Sequence, residues 1–296
     1  MGFVIENARF RAEIAPLGAE LKSLVDLSTG QEYMWQADPA WWKGTAPILF
    51  PIVGGLKGET YTYEGREYRL PQHGFARSRE FTAVATCSDA VELELTACDE
   101  TRSLYPFDFV LRVGFSLERG GLAVRYRVTN RGTGQMYFSI GSHPAFNVPF
   151  RSASPGTAGA LENYYILFER EENLERYFFK DGMIVPGKTA EVLDSSRTLT
   201  LSRNLFDAGP VIFKNPASRE FTIASSRDPH AIRVATDGVP FVAIWSKPGG
   251  APFVCIEPWH GLPDAGDASG SLVEKEGIVS LPKYDTFSTG YRIEIL

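Results

Sequence analysis

Cysteine is scarce: Cys87, Cys98 and Cys255 are the only three in 296 residues. An odd number with no metal-type spacing excludes a disulfide-stapled scaffold and agrees with a reducing cytoplasm. Cys255 falls in an apolar stretch and reads as an inert buried thiol. Long apolar runs are missing as well, none approaching the roughly 18 residues that suggest a membrane span. The opening "MGFVIENARF" has no basic start before an apolar region, so no signal peptide is read there. Glu6 stands where a myristoylation signal needs Ser or Thr. Basic excess is lacking too, since the formal net charge is -6 and no long run of like charges occurs. That argues against a nucleic-acid binder, which shows a basic stripe or patch. The chain has no Gly-x-Ser-x-Gly, no Gly-x-Gly-x-x-Gly opening a helix and no phosphate loop. The expectation is a soluble cytoplasmic protein that needs no nucleotide.

Alternation with a period of two is abundant. In "FVLRVGFSLERGGLAVRYRVTN" (109–130), Leu111, Val113, Phe115 and Leu117 alternate with their neighbours. The pattern resumes after Arg119-Gly120-Gly121 at Leu122, Val124, Tyr126 and Val128, which predicts a hairpin. "AVELELTA", "REFTIAS" and "YTYEGREYRL", the last with Glu64-Gly65 as its turn, read as further strands. So do "GVPFVAIWSK" and "APFVCIEPW", parted by Pro248-Gly249-Gly250. Helical spacing is confined to a turn or two over 170–177, and "DPAWWKG" reads as a short turn among aromatic residues. "RSASPGTAG" (151–159) reads as a surface loop. Nineteen prolines and 28 glycines spread along the chain suit many short strands joined by turns. The predicted architecture is all-β, one large antiparallel sandwich or barrel over residues 1–296 with a concave face.

Three acid–base candidates share a local setting. His73 lies between "YRLPQ" and Gly74, His143 follows "MYFSIGS" and precedes Pro144, and Glu257 follows "FVCI" and precedes Pro258. Proline cannot donate into a central ladder, so each such step is expected to end a strand at the rim where ligands bind. A glutamate in apolar surroundings also needs a partner. Single strand-end residues of these types are usually ordinary surface or capping groups, and only the recurrence of the flank raises a catalytic reading. His230 and His260 read as loop residues. Two histidines and a glutamate could hold zinc or iron, but no His-x-His or His-x-x-x-His pair is present, so a metal site is only weakly supported. Lys57, Arg77 and Arg79 could meet an anion. The five tryptophans, with Phe75 and Phe146 beside the histidines, offer flat faces of the kind that stack on sugars or fill sandwich cores.

Taken together, "LPQHGFAR", "SHPAFN" and "CIEPWHGLPD" resemble the aldose 1-epimerase (galactose mutarotase) family, in its bacterial branch with hexose-6-phosphate mutarotase-like proteins. The stretch "LFPIVGGLKGETYTYEGREYRLPQHGFAR" is the most specific, and the resemblance spans about residues 10 to 290. It implies a large antiparallel β-sandwich that interconverts the α and β anomers of a hexose without a cofactor. Carried over position by position, Glu257 is the base on the anomeric hydroxyl and His143 the acid on the ring oxygen. His73 orients the sugar, Asp207 in "NLFDAGPVIFK" accepts a sugar hydroxyl, and Arg77 contacts a hydroxyl or phosphate. Gly55 departs from the family, whose members commonly carry an arginine there that holds substrate. Lys57 or Arg77 is the candidate substitute. The implied partner is a small-molecule sugar, with no nucleic acid or membrane and a monomeric or homodimeric chain. Three alternatives stay open: a hexose-6-phosphate mutarotase, a sugar-binding regulatory protein without turnover, and a metal-dependent β enzyme.

Overall fold

A computed structural model of the chain describes residues 2–150 and 161–296. The 151–159 stretch read as a surface loop lies outside the described residues. The alternating segments form strands because one side of each can be buried while the other faces solvent or a second layer. Phe109–Glu118 pairs antiparallel with Gly121–Asn130 in unbroken register around the Gly-Gly turn, as the alternation predicts. These two lie in a nine-stranded sheet, ordered from one edge as Met183–Thr200, Tyr164–Lys180, Glu220–Ser225, Ile232–Thr236, Thr286–Ile295, Gly121–Asn130, Phe109–Glu118, Ala90–Thr96 and Thr82–Thr86.

A six-stranded sheet packs against it. Its order is Val211–Lys214, Phe241–Trp245, Phe253–His260, Ile140–Ser142 and Ile48–Leu49, and Ala145–Asn147 also pairs with Phe253–His260. The two sheets share one apolar core. Leu111, Val113 and Phe115 from the first meet Val242, Ile244, Val254 and Ile256 from the second, all essentially buried. Each such side chain contributes about 1.5–3 kcal/mol on burial. Ser142 and Tyr291 join the sheets through a 2.9 Å hydroxyl contact. This is the large antiparallel β-sandwich expected from the sequence. Among the described residues one short α-helix, Asp99–Leu104, is present, and no helix is long and apolar enough to cross a membrane.

Residues 170–177 are strand rather than helix, lying within Tyr164–Lys180. The charges of "EREENLER" fall at helix-like intervals, but pairing with Met183–Thr200 prevails, with register shifts around Glu172. The buried Glu172 carboxylate accepts the backbone N–H groups of Ala217 and Ser218, which fixes the bulged stretch. The tip of this long hairpin reaches the six-stranded sheet. Tyr177, Phe179 and Ile184 pack with Phe241, Trp259 and Leu262, and the Ile184 N–H donates to the Asp264 carbonyl.

Candidate active site

Phe253–His260 is the axis of the site. Its even-numbered Val254 and Ile256 face the shared core, so Phe253, Cys255, Glu257 and Trp259 face the other way. On that second face two smaller apolar clusters form. One holds Trp35, Ala145, Ala251, Phe253 and Cys255; the other holds Leu49, Phe241, Ala243, Trp259 and Leu262. Glu257 sits between them, 1% exposed. The expectation that Glu257 closes a strand fails, because it lies inside Phe253–His260 and pairs across from Ala243. Proline is tolerated after it because the neighbouring strand is interrupted there.

That interruption is the His143-Pro144 step. Gly141 pairs with Trp259 and Ala145 pairs with Cys255, so the constant register sets His143 opposite Glu257. The imidazole Nε2 consequently approaches Glu257 Oε2 to 3.3 Å. Backbone order is kept by the His143 N–H donating to the Pro47 carbonyl. Trp42 stacks on the His143 ring at 4.8 Å, and Trp245 meets it edge-on at 5.4 Å.

His73 arrives from a different part of the chain. Its loop crosses the 50–54 segment so closely that a Cβ at Gly74 would stand 2.3 Å from the Phe50 carbonyl oxygen. Gly74 also has φ of 70°, so both space and backbone call for glycine. His73 itself has φ of 67°, a left-handed conformation costly for a residue with a side chain. Gly54 holds it there. The His73 N–H donates to the Gly54 carbonyl, and the Gly54 N–H donates to His73 Nδ1 at 3.0 Å. With Nδ1 accepting, the neutral ring carries its proton on Nε2. The His73 and His143 rings lie 5.9 Å apart, edge to face.

Burial dominates the electrostatics. It pushes the Glu257 carboxyl well above the usual carboxylate range, and the nearby Trp259 indole only partly opposes it. It also pushes the His143 imidazole well below its usual value, with the neighbouring His73 adding to the effect. His73 is pushed down to about 3, first by burial and then by the Arg77 guanidinium. A carboxylate beside an imidazole ordinarily favours the charged ring, but burial outweighs that here. The two groups share one proton, and burial places it on the carboxyl. His143 Nδ1, Glu257 Oε2 and Trp259 Nε1 are buried without hydrogen-bond partners. Orphaned buried polar atoms are rare in native proteins, and these three belong to His143, Glu257 and the adjoining Trp259.

The structure therefore brings His73, His143 and Glu257 together, but buried rather than lining an open rim. His73 and His143 are 9% and 8% exposed. Outside the stacked Trp42 lies a cleft of about 480 Å³ lined by Glu20, Trp41, Trp42, Lys43 and Arg77. Arg77 stands at this mouth and donates to the Gln72 carbonyl. A larger cavity of about 660 Å³ lies on the outer face of the nine-stranded sheet, beside Glu92, Gly114 and Arg127, away from all three residues. Asp207 makes no contact with the three among the described residues. It is exposed in a turn whose Leu205 and Gly209 carbonyls accept from Arg176. Among the described residues no hydrogen bond or ion pair joins its carboxylate to the three. His260 is a strand residue, not a loop residue, and its Nε2 contacts Thr289 Oγ1 at 3.0 Å. His230 pairs with Asp228 in a turn, away from the site. At Gly55 an added Cβ would meet only the Gly182 carbonyl oxygen, 3.9 Å away at the hairpin tip.

A family model described as aldose 1-epimerase matches residues 2–276. The chain belongs to the aldose 1-epimerase family. It is 30% identical over 304 residues, the full length of both proteins, to the plasmid form of protein LacX from Lactococcus lactis subsp. lactis. It is similar to the structure of a galactose mutarotase related enzyme from Lactobacillus acidophilus, with 33% identity, a TM-score of 0.93 and coverage of 100% of this chain and 97% of that one. A galactose mutarotase-like protein from Lactobacillus casei gives 33% identity and a TM-score of 0.89, with both chains fully covered. Residues that sequence reasoning left without a role in this epimerase-family site are Gly54, which aims His73, and Trp42 and Trp259, which flank the pair. The available signals were the glycine pair of "VGG" and the tryptophans of "AWWKG" and "EPWHG", which show type but not position.

Proposed function

We propose that the protein is an aldose 1-epimerase that interconverts hexose anomers through Glu257 and His143. The observation carrying this reading is the 3.3 Å approach of His143 Nε2 to Glu257 Oε2, both buried, with the carboxylate oxygen unpartnered. Ring opening removes a proton from O1 and delivers one to O5, while the C1–O5 bond breaks and C1=O1 forms. Glu257 takes the first proton and His143 supplies the second. Rotation about C1–C2 then presents the other carbonyl face, and reclosure returns both protons. One proton on the pair is enough, because each half-reaction passes in one and takes out one. Sugar hydroxyls and the Trp259 N–H stabilise the Glu257 carboxylate on binding, which moves that proton to His143. His73, neutral with its Nε2–H free of the Gly54 bond, donates to the ring oxygen or a hydroxyl nearby.

A second reading, a phosphorylated hexose, is favoured by Arg77 and Lys43 at the cleft outside Trp42. One experiment tests both. Polarimetry of freshly dissolved α-glucose and α-galactose, with glucose 6-phosphate followed by NMR exchange, compares the protein with Glu257→Gln. A positioned proton-transfer group gives about 10²–10⁴-fold, so the variant should lose a factor in that range. Equal rates in both proteins, or no acceleration of any sugar, would overturn the assignment and favour a binding role.

A further inference from the structure

We propose that His143, Cys255 and Glu257 form a binding site for a thiophilic divalent cation, with Zn²⁺ the best fit, whose occupancy excludes the sugar. Cys255 and Glu257 are two residues apart on one strand and project to the same face, while His143 lies opposite Glu257 on the neighbouring strand. One ligand atom from each, an imidazole nitrogen, a thiol sulfur and a carboxylate oxygen, all lie within 4.8 Å of one another. The residue opposite Cys255 is the small Ala145. Tetrahedral zinc with bonds of about 2.0–2.3 Å places its ligands about 3.4–3.8 Å apart. His143 Nε2 and Glu257 Oε2 are already at 3.3 Å. The sulfur has to close at most about 1 Å, within reach of a side-chain adjustment.

Donor chemistry selects the ion. A nitrogen, a sulfur and an oxygen suit zinc, whereas calcium and magnesium take oxygen ligands. Thiolate, carboxylate and neutral imidazole together cancel the charge of a divalent cation, so a pocket that disfavours net charge accepts the filled site. Glu257 Oε2, on a side chain 1% exposed and without a hydrogen-bond partner, supplies an independent sign that a ligand is missing. The His143 side chain, stacked on Trp42, keeps 11% of its surface exposed. The binding claim stands without the mutarotase reading; the exclusion of sugar rests on it, since His143 and Glu257 serve both.

The test uses the full chain with the exposed Cys87 and Cys98 replaced by serine, so that Cys255 is the only thiol. Titration with Co²⁺ should give a stoichiometric thiolate-to-cobalt charge-transfer band in the near ultraviolet, and Zn²⁺ should abolish it at one equivalent. Cys255→Ala should lose the band. Its Zn²⁺ affinity should fall by more than the roughly 100-fold that losing an outer partner costs a metal site. Cys255→Val replaces it if the smaller side chain impairs folding. No band in the parent, or a band that survives in the variant, overturns the site. In polarimetry Zn²⁺ should inhibit the parent at the concentration that displaces Co²⁺ and leave the Cys255→Ala rate at its own zinc-free value. Stoichiometric binding without inhibition would overturn the exclusion of sugar. A protein inactive on every sugar but positive for the cobalt band would reject the proposed reaction and keep the metal site.

Discussion

Gly141→Ala perturbs the candidate site through a single methyl group. Gly141 pairs with Trp259 on one side and Leu49 on the other. An added Cβ would stand 2.6 Å from Trp259 Cδ1 and 3.3 Å from Cγ and Nε1. Comfortable carbon–carbon contact is about 3.5–4.0 Å, so the indole must retreat by about 1 Å. It cannot swing to solvent, because Trp259 is 3% exposed and packed among Leu49, Phe241 and Leu262. Overpacking of this kind costs about 1–3 kcal/mol. A domain of ordinary stability, about 5–15 kcal/mol, stays folded after that loss. Displacement of a group flanking the base by about 1 Å is expected to cost on the order of 10²-fold in rate. The assay pairs background-corrected polarimetry with urea unfolding followed by tryptophan fluorescence. The expected outcome is a lower unfolding midpoint and a rate about 10²-fold down while the chain is still folded. Wild-type turnover, or a loss that merely follows the unfolded fraction, would refute the idea that the Trp259 indole positions the carboxyl.

Three further outcomes follow from the same geometry. Burial raises the Glu257 carboxyl and lowers the His143 imidazole, so the singly protonated pair spans neutral pH and kcat/KM should be flat there; an inflection near pH ~6.5, the ordinary histidine value, would contradict that. His73 is held down to about 3 from an ordinary value of 6.5, so the unfolded chain binds the proton better. Its contribution to stability is then complete above pH 6.5 and falls by about 1.4 kcal/mol per pH unit on acidification towards 3. Unfolding free energies of the protein and His73→Gln should diverge with that slope, and parallel curves would count against it. Lys275→Met removes the buried cationic partner of Asp264 and should cost about 3–5 kcal/mol by stranding the carboxylate; unchanged urea unfolding would show that the Lys57 N–H, which the Asp264 carboxylate also accepts, is partner enough.

The strands were legible because one-sided burial writes a period of two into the sequence, as at Leu111, Val113 and Phe115. The 170–177 segment was misread because Glu172 pairs with backbone N–H groups of residues 217 and 218, a contact no local pattern announces. Glu257 was noticeable as a lone acid inside an apolar run, but its mid-strand place was hidden by Pro258. Proline there is compatible with a central strand only because the adjacent strand breaks at His143-Pro144, and that is a fact of pairing. Gly54 and Trp42 were unreadable for a related reason. Their roles depend on which loop crosses which, while their residue types are common in turns and cores. Asp207 matched a short motif, and its exposed place in a turn gives it no hydrogen bond to the three among the described residues.

The pairing around that break explains why the site lies where it does. Residues directly opposite on antiparallel strands project to the same face about 4.5–5.5 Å apart, so the register alone sets the imidazole beside Glu257. The strand breaks between Gly141 and Ala145, and these two keep the register on both sides. On the other flank the residue opposite Glu257 is the small Ala243. Apolar clusters at both ends then exclude water, which shifts carboxyl and imidazole in opposite directions until they share one proton. A pair in that state would serve the proposed exchange of anomers in either direction.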